Sequence, residues 1–385
     1  MGIKKLWKEK KGRLIVIITL LFFALLFLFL LGRTTNTLVT EQAARRWSDN
    51  SFVQLSSFIP EHHGFTGDFS REITQAIESS FRDQGLDPHD PRNAWTFAYY
   101  AEGGVLPTRS HYRGPVTTQI SGVGGNFFFF YPVTLVSGSY LPRESINRDL
   151  VFIDETLAWE LFGAIDVTGM ELLVSDRAYV IVGVFRHFQD PFSREASGLL
   201  PQAFFYYDEL ESVVGGLRIT TVKALLPEPI TALAQQIFTA TLETAGLGED
   251  DYLLVNHTER YRTLALLRVI GDFGSRSMQE TGMRLPMWEN AARMTEDFAA
   301  LYLLLAILFS LFPLLCLFLL VIWKLKNRKW RVRKLLHRAD MWREEKREAA
   351  WEKIQEQKEE LQQRFTVDDI IRESRESEEE NETDK

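Results

Sequence analysis

Residues 121–185 read SGVGGNFFFFYPVTLVSGSYLPRESINRDLVFIDETLAWELFGAIDVTGMELLVSDRAYVIVGVF. Asp149–Ile153 is a short apolar run of the buried-strand type. Asp154 is placed to cap a helix that runs to Phe162, and Gly163 follows its end. Met170–Val174 and Ala178–Phe185 are strands flanking Ser175-Asp176-Arg177, a tight hairpin connection. Phe127–Tyr131 reads as a core strand, with an apolar ligand or partner surface as the other reading. Ala203–Tyr207 adds an edge strand. The middle of the chain, roughly 131–207, is therefore a strand-rich segment.

Outward from it lie two blocks of strand, helix and strand. In the first, Ser51–Phe58 is a strand. Phe69–Gln84 is an amphipathic helix with Asp68 or Ser70 at its start, Ile73, Ile77 and Phe81 on one face, and Gly85 as its stop. Ala94–Ala101 is an aromatic strand ended by Gly103-Gly104, and Pro115–Val123 returns beside it. In the second, Gly216–Leu225 is rich in β-branched residues. Pro227 and Pro229 open a helix to about Ala245 with Ile230, Leu233, Ile237 and Leu242 for burial, Gly246-Leu247-Gly248 stops it, and Tyr252–Asn256 is a strand. The two blocks are expected to close on one sheet. His257–Ile270 reads as a helix with Leu264, Leu267 and Ile270 on one stripe, interrupted by Gly271 and Gly274. Met287–Asp297 runs on from there, so that 257–297 forms a stalk.

Further out are two uncharged apolar runs. Leu14–Leu31 is LIVIITLLFFALLFLFLL, and Phe298–Trp323 is FAALYLLLAILFSLFPLLCLFLLVIW. About 20 apolar residues cover the hydrocarbon core of a bilayer. The chain is thus expected to be a membrane protein with spans at 14–32 and 298–323. Lys4, Lys5, Lys8, Lys10, Lys11 and Arg13 precede the first run. Lys324, Lys326, Arg328, Lys329, Arg331, Arg333 and Lys334 follow the second. Basic flanks stay in the cytoplasm, which puts 1–13 and 324–385 inside and 33–297 outside. LGRTTNT offers no small-x-small cleavage site, so the first run reads as an uncleaved signal-anchor. The net charge of −8 over 385 residues is segregated, basic beside the spans and acidic at the end. The single Cys316 lies in the second run, so the outer segment holds no disulfide and must stand on its core.

The segment Ser121–Phe185 resembles the periplasmic core domain of MacB-like and FtsX-like ABC transporter permeases. The matching pieces keep the family order: Asn126-Phe127-Phe128, Leu135–Leu141 with Ser139 where the family commonly has Arg, the strand Leu150–Ile153, Ala158–Gly163 (AWELFG), Asp166–Gly169 (DVTG) and Tyr179–Val184 (YVIVGV). The resemblance implies an α+β extracytoplasmic domain, a split βαβ porter-like layer with a strand-rich insertion, on transmembrane helices in a bacterial plasma membrane. It also implies a separate ABC ATPase subunit, a second permease-like subunit, or both. Family permeases usually carry two further spans, whereas here the second apolar run is followed by a charged tail. No G-x-x-x-x-G-K-[ST] occurs, so the ATPase would be another chain.

Little in the chain looks chemical. Glu61-His62-His63, with Asp68 nearby, lacks the spacing of a metal site and reads as a solvated loop. Asp154-Glu155 is explained by helix capping. His89, His111, His187 and His257 are scattered, and no Ser or Cys has a nucleophile-elbow context. No enzyme, metal, cofactor or nucleic-acid partner is expected. Pro313 would kink the second span. The tail Trp330–Leu361 is helical in composition, with Val332, Leu335, Ala339 and Trp342 on one face as a candidate docking surface for a partner. Lys324–Arg338 would lie against anionic lipid, and Glu373–Asp384 reads as unstructured. The reading is a non-enzymatic, permease-like subunit of an ABC-type export or mechanotransmission complex. The alternative is an extracytoplasmic sensor or scaffold that recruits a cytoplasmic partner through the tail.

Overall fold

The computed structural model describes residues 2–47, 52–66, 69–143, 145–273 and 283–382. Asp68 and Gly274 lie outside them, as do the side chains of Val332 and Leu335. The chain divides into two units, Met1–Phe309 and Ser310–Lys385.

In the first unit, α1 (Gly2–Thr35) is followed by a 3-10 turn at Val39–Glu41 and by α2 (Ala43–Trp47). Then come β1 (Phe52–Phe58), α3 (Phe69–Asp83), β2 (Thr96–Arg109), β3 (Val116–Gly125) and α4 (Phe127–Phe130). The middle holds β4 (Thr134–Gly138), β5 (Leu150–Asp154), α5 (Glu155–Phe162), β6 (Glu171–Val174), β7 (Arg177–Arg186) and α6 (Pro191–Ser197). The rest is β8 (Gln202–Tyr206), α7 (Tyr207–Val214), β9 (Thr221–Pro227), α8 (Leu233–Thr244), β10 (Leu253–Asn256), α9 (Thr263–Gly271) and the start of α10 (Met287–Glu382).

The strands form one mixed sheet in the order β10-β1-β9-β2-β3-β8-β5-β7-β4, and β6 pairs with both β7 and the far end of β2. The two βαβ blocks do close on one sheet, with β1, β9, β10 and β2 adjacent. β1, β9 and the first half of β2 are covered on both sides. Val53 and Leu55 of β1, Phe97 and Tyr99 of β2, and Val222 and Ala224 of β9 pack on one face with α3 and α8. Phe52, Ala98, Tyr100, Phe204 and Leu225 point to the other face, where α2, α4 and Trp288 of α10 cover them.

Several expectations change. Gly103-Gly104 does not end β2. The strand bulges between Glu102 and Gly104, with Gly104 at φ +81°, and stays paired with β3 as far as Thr108. β8 is not an edge strand: it lies between β3, to which it is parallel, and β5, and is buried throughout. Phe127–Phe130 is a helical turn, not a strand, and it buries Phe127 and Phe130 while leaving Phe128 and Phe129 half-buried. Pro227 closes β9 and α8 starts only at Leu233, so Ile230 is exposed. The one fully buried side chain of α9 is Leu266, not Leu264 or Leu267.

The hairpin is as read. Ser175 and Asp176 both have positive φ and join Val174 to Arg177, the backbone of a type I′ turn. Asp154 Oδ1 accepts from Leu157 N at 2.7 Å, and Gly163 takes the left-handed conformation at the end of α5.

Two helices are long and apolar enough to cross a membrane, Leu14–Thr35 and Met287–Lys326. Within the first unit they touch: Phe23 and Phe27 lie 5.5 and 5.6 Å from Phe309, ring centre to ring centre. In the second unit α10 passes through Pro313 as helix and reaches Glu382, into the acidic segment read as unstructured.

Candidate functional site

Near the β1–β9 end of the sheet, three polar residues take places on the second face that apolar residues hold elsewhere. Gln54, Ser56 and Lys223 are almost wholly buried there. A buried polar group is costly unless it is partnered, and the partners come from three distant segments. The first follows α1. Gln54 Nε2 donates to Thr40 O at 2.8 Å, and its Oε1 accepts from Ala43 N at 2.9 Å. The second follows β10, where His257 N donates to Gln54 O at 3.0 Å. The third is the first turns of α10.

These segments meet in a cluster of buried charge. Glu41 Oε2 lies 2.7 Å from His257 Nδ1, and His257 Nε2 lies 2.6 Å from Ser56 Oγ. Arg260 is the hub. Its Nη1 donates to Glu41 at 3.3 Å and to Glu289 Oε2 at 2.8 Å, its Nη2 donates to Glu289 Oε1, and its Nε donates to Glu296. Arg293 Nε adds a contact to Glu289 at 3.4 Å. Lys223 Nζ sits 4.9 Å above the Trp288 ring and has no hydrogen-bond partner among the described residues. Three carboxylates, Glu41, Glu289 and Glu296, thus face Lys223, Arg260 and Arg293, with His257 between Glu41 and the sheet.

Burial by itself would push the Glu41 carboxyl up, but the charges of His257 and Arg260 outweigh it and hold the group at about 2. Burial pulls the Lys223 ammonium down to about 8, against the pull of Glu41 and Glu289. Burial also lowers Arg260, yet Glu289 and Glu41 together leave it above its ordinary value. A planar guanidinium that grips one carboxylate by two nitrogens and two others singly fixes their positions as well as their charge. Glu41, His257 and Ser56 are hydrogen-bonded in series, the order that activates a serine, but all three are buried, so Ser56 Oγ is not open to a substrate. What the cluster does is hold together the segment after α1, the sheet and the first turns of α10.

A family model described as the MacB-like periplasmic core domain matches residues 14–240. The chain belongs to that family. No curated protein sequence matches it. Solved structures similar to it include the extracellular domain of the noncanonic ABC-type transporter YknZ from Gram-positive bacteria, with 12% identity over 54% of this chain and 100% of that one and a TM-score of 0.37. The periplasmic region of MacB from Actinobacillus actinomycetemcomitans has 13% identity over 58% and 94%, with a TM-score of 0.39. A domain of a putative permease protein from Porphyromonas gingivalis has 14% identity over 57% and 97%, with a TM-score of 0.33.

The MacB-like match supports an ABC-type, permease-like component of a cell membrane. It ends before β10, so Glu289, Arg293, Glu296, His257 and Arg260 lie beyond it while Glu41, Ser56 and Lys223 lie within it. Of the residues singled out in the sequence, Ala339 and Trp342 are exposed on α10. The His62 and His63 rings lie 4.2 Å apart, tilted at 49°, and His63 Nε2 lies 3.4 Å from Asp251 Oδ1. Among the described residues no group of His, Cys, Asp and Glu is placed to hold a metal. Asp154 does more than cap α5 in this MacB-like domain: its Oδ2 accepts from Gln202 N at 3.1 Å and lies 3.0 Å from His187 Nε2, tying β5 to β8 and to the end of β7. The charge cluster was missed because Glu41 and His257 are 216 positions apart. One trace was available: Glu289, Arg293 and Glu296 fall on a single helical face just before an apolar run.

Proposed function

We propose that this chain is the permease-like subunit of an ABC-type export or mechanotransmission complex, non-enzymatic itself. Its termini are cytoplasmic and residues 33–297 lie outside, since both spans have basic inner flanks. ATP hydrolysis by a separate cytoplasmic subunit displaces the spans, and the outer domain receives that displacement. The observation that carries this reading is the shared grip of Arg260 on Glu41, after the first span, and on Glu289 and Glu296, before the second. Parting two roots held this way strips buried charges of their partners, at about 3–5 kcal/mol for a broken buried pair. Moving them with the sheet breaks none of these contacts. The basic flanks rest on anionic lipid, and the tail face of Val332, Leu335, Ala339 and Trp342 docks the cytoplasmic partner.

Purification of the full chain in a gentle detergent is expected to bring an ABC ATPase with it. Removing the residues after Lys329 abolishes that association while leaving insertion intact, and Leu335→Asp with Trp342→Asp does the same. A tail-less chain that keeps its ATPase in full yield would overturn the docking assignment. An ATPase-free preparation of the full chain would overturn the reading itself.

A further inference from the structure

Helix α9 (Thr263–Gly271) has one charged residue, Arg268, in nine. Its Leu266 is buried in a small apolar cluster with Ala299 and Leu303 of α10, against Leu31 of α1 and Tyr261. Leu31 closes the first apolar run, and Leu303 lies inside the second. The helix therefore touches both membrane-crossing helices at the height where their apolar surface begins. The rest of its apolar surface is uncovered: Leu264 is 72% exposed and Leu267 41%, and Phe273, just past its end, is 42% exposed. On a water-facing helix two such leucines flanking a buried one would be a liability. Here they continue the lipid-facing surface of the spans, since Phe298, Leu301 and Leu304 of α10 are also exposed around Leu303.

We infer that α9 lies in the outer interface of the bilayer, with Leu264, Leu267 and Phe273 among the upper acyl chains. It acts as an in-plane anchor joining the charge cluster to the membrane surface. The polar positions fit that placement. Arg262 at the helix start is 67% exposed and pairs with Glu259 at 2.6 Å; Arg268, one turn after Leu264 on the same exposed face, has a side chain long enough to carry its charge up to the headgroups, and Asp272 follows the helix end. Only two residues separate Arg260, the hub of the cluster, from Thr263. A helix held by lipid on one side and by Arg260 on the other fixes the height of the outer domain above the membrane. The inference rests on reading α1 and α10 as membrane spans and does not depend on an ATPase.

The test uses the full chain with Cys316→Ser in nanodiscs holding one copy each. Single cysteines replace Leu264, Leu267, Ser212 or Phe22 and carry an environment-sensitive fluorophore. Lipids with a nitroxide near the headgroup end of the acyl chain should quench the labels at 264 and 267, and aqueous iodide should not. The label at 212 should behave in the opposite way. The label at 22 reports on the span: quenching there by a deep nitroxide confirms insertion whatever α9 does. Iodide quenching at 264 and 267 with an inserted span would overturn the inference and leave the membrane reading standing. Shielding that needs two copies per disc would overturn it too, since a second copy would then be the cover.

Discussion

Lys223 and Arg260 are both cations buried in one cluster, and they are expected to respond to substitution in opposite directions. Arg260 is matched by three carboxylates, so Arg260→Gln leaves Glu41, Glu289 and Glu296 buried with too little positive charge. A loss of about 3–5 kcal/mol in stability is expected, read as a lower melting temperature, with Arg260→Lys only a partial rescue because an ammonium cannot make the fork. Among the described residues Lys223 is matched by no hydrogen bond. Burial holds it near 8, below its ordinary 10.5. Between those values the unfolded chain binds more protons than the folded one, so this group makes stability rise with pH across that window, and its burden is fully present below pH 8. Lys223→Met should therefore melt higher than the wild type at pH 7 and lack the rise between pH 8 and 10.5. Glu41 has the reverse sign: held at about 2 against an ordinary 4.5, it stabilises fully above pH 4.5 and loses that contribution as pH falls toward 2. Glu41→Gln should flatten that acid limb.

At the scale of elements, the close approaches are made by glycine. Gly138 ends β4 at φ +74°, and a Cβ there would stand 2.3 Å from the Val182 carbonyl oxygen and 2.7 Å from the Gly183 Cα. Both are backbone atoms of β7 and cannot swing aside. Gly169 has φ +85° but nothing within 4 Å of its would-be Cβ. Gly169→Ala should cost only the left-handed strain of about 1–2 kcal/mol, and Gly138→Ala clearly more, a ranking that thermal melts of the two variants would check. The elements legible in the sequence were those whose signal is local. Ile73, Ile77 and Phe81 gave α3 by their spacing, and Asp154 and Gly163 gave both ends of α5. The misread elements depend on neighbours. Four phenylalanines carry no period, so Phe127–Phe130 gave no sign of a helical turn. β8 has only five residues, and its central place comes from a parallel pairing with β3 some eighty positions away. Gly103-Gly104 looked like a stop because a bulge and a turn call for the same residue. The charge cluster was the least legible feature, because Glu41, Lys223 and Arg260 are each ordinary in their own stretch of sequence.

At the scale of the whole molecule, the remaining question is which side of the membrane each part occupies. In the proposed topology the spans are the two uncharged runs, oriented by the basic residues beside them, Lys4–Arg13 before the first and Lys324–Lys334 after the second. The outer domain adds an independent constraint. The segments after α1 and before the second apolar run join the same buried cluster, so they lie on one side together; on opposite sides, Arg260 would be parted from either Glu41 or Glu289. On the proposed reading of two spans, residues 1–13 and 324–385 then lie on the opposite side. In a Cys316→Ser background, a membrane-impermeant thiol reagent applied to intact cells should reach a cysteine at Ser212, an exposed position of α7, and should fail to reach one at Ser374 until the cells are opened. Labelling at 374 in intact cells, with 212 also labelled, would mean that the chain crosses an even number of times between them, so the second apolar run would not make a single crossing. The two-span reading would then fail, and the coupling of two spans proposed through Arg260 would fall with it.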